Sequence, residues 1–223
     1  AEKNIRLILD SAHMAGTYVK SNNGPKHVGK EADIVVFSFQ SVKNLPTADS
    51  GIICFKNPEH LEIAKKLSWL GIDKDTYSRT TSGGNYKWKY DVPNVGYKYH
   101  GNSIMASMAL VQLRYLDEDN DRRNQISELY NQLFEKEASI SLINKAPYCH
   151  KSSRHLYQVI INNRTAGKIS ARDKLIQHLY DNQIFPGVHY IDNTNYPMYN
   201  YAVGSCPKAK QYSDTIITLP IHL

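Results

Sequence analysis

Two early stretches, NIRLILD (residues 4–10) and ADIVVFSF (32–39), restrict the fold of this chain more than any other feature. Both are short, rich in β-branched residues and almost continuously apolar, the pattern of strands covered on both faces of a parallel sheet; a half-exposed strand would alternate. The residues between them, HMAGTYVKSNNGPKHVGKE, leave room for a short crossover and a Gly/Asn/Pro turn. SGIICF (50–55) reads as a third strand. After it, Asn57 and Pro58 supply an N-cap and a first-turn proline for a helix running through EHLEIAKKLSWL, which Gly71 can close. Strand and helix alternate, so the class is α/β.

Residues 72–101 are rich in Tyr, Thr, Gly, Asn and Lys without periodicity and read as a long functional or interface loop that ends in VGYKYHGN. From Asn102 a helical period resumes in SIMASMALVQLRYLDE, where the small residues Ala106, Ser107 and Ala109 permit close packing. A second helix is expected through about residue 136, with Leu129 and Leu133 on one face. Beyond residue 145, HLYQVII is a strand, SARDKLIQHLYDN a helix with a Ser170–Asp173 capping box, IFPGVHY an extended segment and CPKAKQYSDTIITL a further helix. This predicts a larger domain over residues 1–140 and a smaller C-terminal α/β domain over 141–223.

The 223 residues, 41% of them hydrophobic, can build a sizeable core. Lys and Arg outnumber Asp and Glu by 27 to 21, but the basic residues are scattered, which suits a small anionic substrate and gives nucleic acid no binding stripe. The aromatic and basic run YKWKYDVPNVGYKYH is read as an interface loop rather than a single-strand binding surface. Cys54, Cys149 and Cys206 never approach CxxC spacing, so neither a disulfide framework nor a zinc ribbon is expected, and a cytoplasmic setting fits. No apolar stretch reaches membrane-spanning length and no signal peptide opens the chain. A start without Met close to a strand, and an end at TLPIHL, read as a fragment cut at both ends.

Asp10 lies at the carboxyl end of the first apolar run, and Ser38 and Lys43 lie at and just after the carboxyl end of the next. A lysine in a loop is ordinarily just a solvated cation. Ligands of open α/β sheets, however, bind at that edge, where these three side chains can converge. An acid, a hydroxyl and a lysine there suit pyridoxal phosphate: the amine forms a Schiff base, the carboxylate keeps the pyridine nitrogen protonated, and the hydroxyl contacts the phosphate. For attack the amine must be neutral part of the time, which a partly desolvated site beside another cation would favour.

DSAH (10–13), ADIVVFSFQSVKNLPTADSGII (32–53), GYKYHGNSIMASMALVQLRYLD (96–117), GVHY (187–190) and TLPIH (218–222) together resemble, in that order, the DegT/DnrJ-type sugar aminotransferases. The resemblance implies a fold type I pyridoxal phosphate enzyme with a three-layer α/β/α, aspartate aminotransferase-like large domain, here truncated, and a smaller C-terminal domain. It implies that Lys43 carries the cofactor, that Asp10 pairs with the pyridinium, that Ser38 binds phosphate and that His13 lies beside the ring. It further implies a homodimer, a nucleotide-linked keto sugar as acceptor, an amino-acid donor such as glutamate, and products that feed surface polysaccharide or glycan synthesis.

Several positions depart from the family pattern. Where the family often has Asn reaching toward the partner's phosphate, this chain has Lys98, with His100 and Asn102 nearby, and any of the three could make that contact. TADSG places Ser50 where a glycine is usual, and HYIDNT lacks the proline and second histidine of the HYxPxH-like segment, leaving His189 and Tyr190 as substrate-side candidates. The family's N-terminal part, with its phosphate-cradling loop, would precede Ala1. Two rivals share the scaffold. A sugar dehydratase would replace the Schiff-base lysine, commonly by His, and a non-catalytic dimerisation or regulatory fragment would need no lysine at all.

The remaining candidates have plainer readings. His150 and His155 lack a carboxylate or cysteine at metal spacing, so no metal site is expected. Met105 and Met108 read as packing residues, Arg114, Arg122 and Arg123 as a solvated helix face, and Cys54 as a small buried hydrophobe.

Overall fold

The computed structural model describes residues 5–30, 32–73, 90–162 and 170–223. They fall into two units, one of Ala1–Gly16 with Gly24–Leu116 and one of Thr17–Asn23 with Asp117–Leu223. The boundary expected near residue 140 thus falls inside the second unit, because the long helix before it contributes to that unit's core.

In the first unit, β1 (Ile8–Asp10) pairs parallel with β4 (Ile34–Ser38), aligning Asp10 with Val36. β4 in turn pairs antiparallel with β5 (Gly51–Phe55), from Ser38 opposite Gly51 to Ile34 opposite Phe55. Val35 and Phe37 of β4 are buried, as are Val28 and Leu45. Full burial of both faces is not observed among the described residues: Ile8 is 67% exposed, and Ile52, Ile53 and Cys54 are exposed as well. A continuous apolar run reports that both faces can be covered, not that a neighbouring element of the same unit covers them. The expected buried state of Cys54 fails for this reason.

The connection from β1 to β4 is not a simple crossover. It contains the two-residue strands β2 (Tyr18–Val19) and β3 (Lys26–His27) and a 3-10 turn over Val28–Lys30. β2 belongs to the second unit, where it pairs with β7 (Cys149–Lys151). Helix α1 (Pro58–Ser68) starts as the sequence requires, with the Asn57 side chain accepting from the Glu59 amide at 2.9 Å. It ends where Gly71, at φ +76°, donates its amide to the Lys66 carbonyl. Helix α2 (Ser103–Gln112) starts with Asn102 accepting from the Met105 amide at 2.9 Å. Of the expected loop over 72–101, residues 74–89 lie outside the described ones.

The second unit is built on the antiparallel sheet β6 (Ile140–Leu142), β8 (Tyr157–Ile161) and β9 (Ile216–Leu219), with β8 in the middle. Tyr157, Val159, Ile161, Ile217 and Ile221 form its core. Helices α3 (Leu116–Phe134), α4 (Ala171–Asp181) and α5 (Pro207–Thr215) complete it. α3 packs through Ile126, Tyr130 and Phe134, a set spaced by four residues, while Leu129 and Leu133 are 55% and 65% exposed; the expected face is rotated. Burial raises the Tyr130 and Tyr157 hydroxyl pKa values above the ordinary tyrosine range. Arg123 is only half exposed, against the solvated reading, and burial lowers its pKa despite Asp119. Ser170 caps α4 by accepting from the Asp173 amide at 3.1 Å. The segment expected as one helix from Cys206 divides instead: the helix stops at Thr215, and IITL forms β9, whose Ile217 is fully buried.

Candidate active site

Because β1 and β4 are parallel and in register, their carboxyl ends carry Asp10 and Ser38 to the same edge of the first unit's sheet. Asp10 is exposed, and its Oδ1 accepts from the Ala12 amide at 3.0 Å, which orients the carboxylate over the turn that holds His13. That turn is closed by the Met14 amide donating to the Ser11 carbonyl at 2.8 Å. Ser11 Oγ within it is fully buried and has no hydrogen-bond partner among the described residues. Ser38 Oγ faces the Gln40 amide at 3.4 Å as the chain leaves β4.

Lys43 sits in the loop that follows, half-buried, with its amide donating to the Gln40 carbonyl at 2.8 Å. The base of this loop is tied to β4 and β5. The Phe39 amide donates to the Ser50 carbonyl, and the Phe39 carbonyl accepts both the Thr47 amide and the Thr47 hydroxyl, at 2.8 and 3.0 Å. Ser50, in place of the family's usual glycine, hydrogen-bonds the Thr47 hydroxyl, so the departure reinforces the loop. Gly51 has to be glycine: a Cβ there would lie 2.7 Å from the Phe37 carbonyl oxygen. Asn44, Leu45 and Thr47 are buried, so the loop has its own small core.

The three candidates in the segment leading to α2 are also organised. The Trp69 and Lys98 backbones form an antiparallel bridge, flanked by bonds from the Tyr97 amide to the Leu67 carbonyl and the Tyr99 amide to the Ser68 carbonyl. Lys98 Nζ lies 3.4 Å from the Trp69 ring centroid, and the His100 ring meets Trp69 edge-on at 4.2 Å. Asn102 Oδ1 is engaged in capping α2. Trp69 was not singled out in the sequence, since it reads there as one apolar position at a helix end.

In the second unit, His189 Nδ1 is 2.9 Å from Thr218 Oγ1, its carbonyl accepts from the Gln158 side-chain amide at 2.6 Å, and its ring meets Tyr190 edge-on at 4.9 Å. Asp192, where the family has proline, caps a 3-10 turn by accepting from the Thr194 amide at 3.0 Å. The two groups of candidates, around Lys43 and around His189, lie in different units.

The family model for the DegT/DnrJ/EryC1/StrS aminotransferases matches residues 1–223, and the chain belongs to that family. A protein of Methanocaldococcus jannaschii is 34% identical over 221 residues, covering 97% of this chain and 55% of that protein. The UDP-4-amino-4,6-dideoxy-N-acetyl-beta-L-altrosamine transaminase of Campylobacter jejuni is 29% identical over 98% of this chain and 54% of the transaminase. Among solved structures, Spr1654 of Streptococcus pneumoniae in its PMP form superposes with a TM-score of 0.82 at 31% identity, over 98% of this chain and 54% of that one. The same protein in its PLP form gives a TM-score of 0.82 at 30% identity. The chain therefore has the fold of the corresponding part of a fold type I enzyme and spans about half the length of the curated relatives it matches.

Pyridoxal phosphate is the cofactor that membership of this family implies. The residues present fit it. A carboxylate, a hydroxyl and a primary amine, the last on a loop pinned at its base, stand at one sheet edge.

Proposed function

We propose that the protein to which this chain belongs is a pyridoxal phosphate-dependent aminotransferase. It moves an amino group from an amino acid, which we take to be glutamate, to a keto sugar linked to a nucleotide, and its products feed surface polysaccharide or glycan synthesis. The observation that carries this reading is the parallel register of β1 and β4, which brings Asp10 and Ser38 to one edge, directly followed by the pinned loop of Lys43.

When bound, the cofactor supplies an aldehyde for covalent capture of amines and an electron sink for the adjacent carbon. Lys43 Nζ would hold the cofactor between turnovers and, once released, would take up and return the proton that the transfer moves. Asp10, whose Oδ1 accepts from the Ala12 amide, would pair with the ring nitrogen and keep it protonated. Ser38 binds phosphate, and His13 lies against the ring. One of Lys98, His100 and Asn102 reaches the phosphate bound by a partner subunit in a homodimer, with Trp69 supporting the first two. His189 and Tyr190 contact the nucleotide sugar. The proposed setting is the cytoplasm, a reading that rests on the cysteine usage.

The test uses the full-length protein. It is incubated with pyridoxal phosphate, reduced with borohydride, digested and analysed by mass spectrometry. The cofactor is expected on the peptide containing Lys43. Folded, saturable protein without that adduct would overturn the reading. Transfer of ¹⁵N from labelled glutamate to a nucleotide-linked keto sugar then tests donor and acceptor.

A further inference from the structure

His189 is held from three directions within the second unit. The Gly187 amide donates to the Thr218 carbonyl at 2.9 Å and the Thr218 amide to the Gly187 carbonyl at 2.8 Å, pinning the 187–190 segment to β9. Gln158, opposite Thr218 on β8, donates its side-chain amide to the His189 carbonyl at 2.6 Å. Thr218, 6% exposed, brings its hydroxyl to 2.9 Å from His189 Nδ1. Gly187 makes room for the ring: a Cβ there would lie 2.8 Å from His189 Cε1 and 3.3 Å from Nδ1.

We propose that Thr218, Gln158 and Gly187 are positioning residues that fix the ring orientation of His189 for contact with the nucleotide-sugar substrate. This rests on the substrate-side role given to His189 above. An imidazole presents different chemistry at its two nitrogens, and the partner of one sets the role of the other. The Thr218 hydroxyl can donate to Nδ1 or accept from it, so it holds the ring at that nitrogen in either neutral tautomer. If the ring becomes imidazolium, the same hydroxyl turns and accepts from Nδ1, so the orientation survives protonation. Valine would keep the shape of Thr218 and its place in β9 but could do neither.

Five variants of the full-length enzyme test this: Thr218→Val, Thr218→Ser, Gly187→Ala, His189→Ala and the double variant Thr218→Val/His189→Ala. Thr218→Val is expected to raise KM for the nucleotide sugar about tenfold, the scale of one lost hydrogen bond, with a smaller change in kcat. Thr218→Ser should restore wild-type values, and Gly187→Ala should behave like Thr218→Val by displacing the ring. The double variant should be no weaker than His189→Ala, because a positioning residue has nothing left to position. The second readout needs no turnover: ¹⁵N shifts of the His189 ring in substrate-free protein should move in Thr218→Val, where the contact at Nδ1 is lost, and match wild type in Thr218→Ser. Unchanged shifts in Thr218→Val, or additive losses in the double variant, overturn the proposal. An enzyme without transaminase activity would overturn the functional reading instead, while the ¹⁵N shifts would still decide whether Thr218 holds the ring.

Discussion

Single residues show how one local contact sets a role. Asp173 lies in the first turn of α4; burial would raise its pKa, but the Ser170 hydroxyl and the Arg172 guanidinium, the latter 2.6 Å away, hold it below the ordinary carboxylate value. A carboxyl group whose folded pKa is depressed contributes stability above its unfolded pKa of about 4 and loses it as pH falls through the folded value. Asp173→Asn should therefore be less stable than wild type near neutral pH and converge with it in acid, as read from urea midpoints across pH. With the carboxylate half exposed, the difference should stay below about 1 kcal/mol. Lys43 and Asp10 are readable as candidates because an acid, a hydroxyl and a lysine fall together at the carboxyl ends of two successive apolar runs. Trp69 and Thr218 are not, since an apolar helix-end residue and a strand threonine have ordinary structural uses until their partners are seen.

Elements follow their local signals closely where the signal is a cap. Asn57 and Ser170 each begin a helix through the side-chain bond their sequence context predicts, and Asn102, where a helical period resumes, does the same. Gly71 shows why the end of α1 is equally fixed. Its φ is positive, and a Cβ would lie 1.8 Å from the Asn94 carbonyl oxygen, because the 94–97 segment crosses directly over the end of the helix. Gly71→Ala should destabilise the protein by more than the ~1 kcal/mol of the conformational penalty alone, measured by chemical denaturation. It should also loosen the bridge between Trp69 and Lys98, read as a change in Trp69 fluorescence. Strand β9 marks the opposite case. IITL continues a helical apolar pattern as readily as it forms a strand, and the pairing of Ile217 with Val159 on β8 decides the matter.

At the scale of the molecule, the second unit depends on one small core. Ile217 is fully buried at its centre, so Ile217→Ala should cost about 2–5 kcal/mol, seen as a lower denaturant midpoint with a similar slope. In the first unit, Ile104, Leu110 and Leu113 of the α2 region are 75%, 65% and 56% exposed, an apolar surface that a proposed second copy of the full-length protein would help to cover. Light scattering of that protein is expected to give twice the chain mass. A monomer would overturn the part of the proposal in which Lys98, His100 or Asn102 serves a partner's site.

The sequence by itself determined the α/β class, most helix starts and the identity of the reactive candidates, because caps, apolar runs and chemically distinctive side chains act over a few residues. Tertiary structure alone decided that β5 runs antiparallel to β4, that α3 packs through Ile126, Tyr130 and Phe134, that residues 17–23 join the second unit, and that Thr218 meets His189. Each of these depends on contacts between residues far apart in the chain, where the same local pattern satisfies more than one arrangement and only the packing partner selects between them.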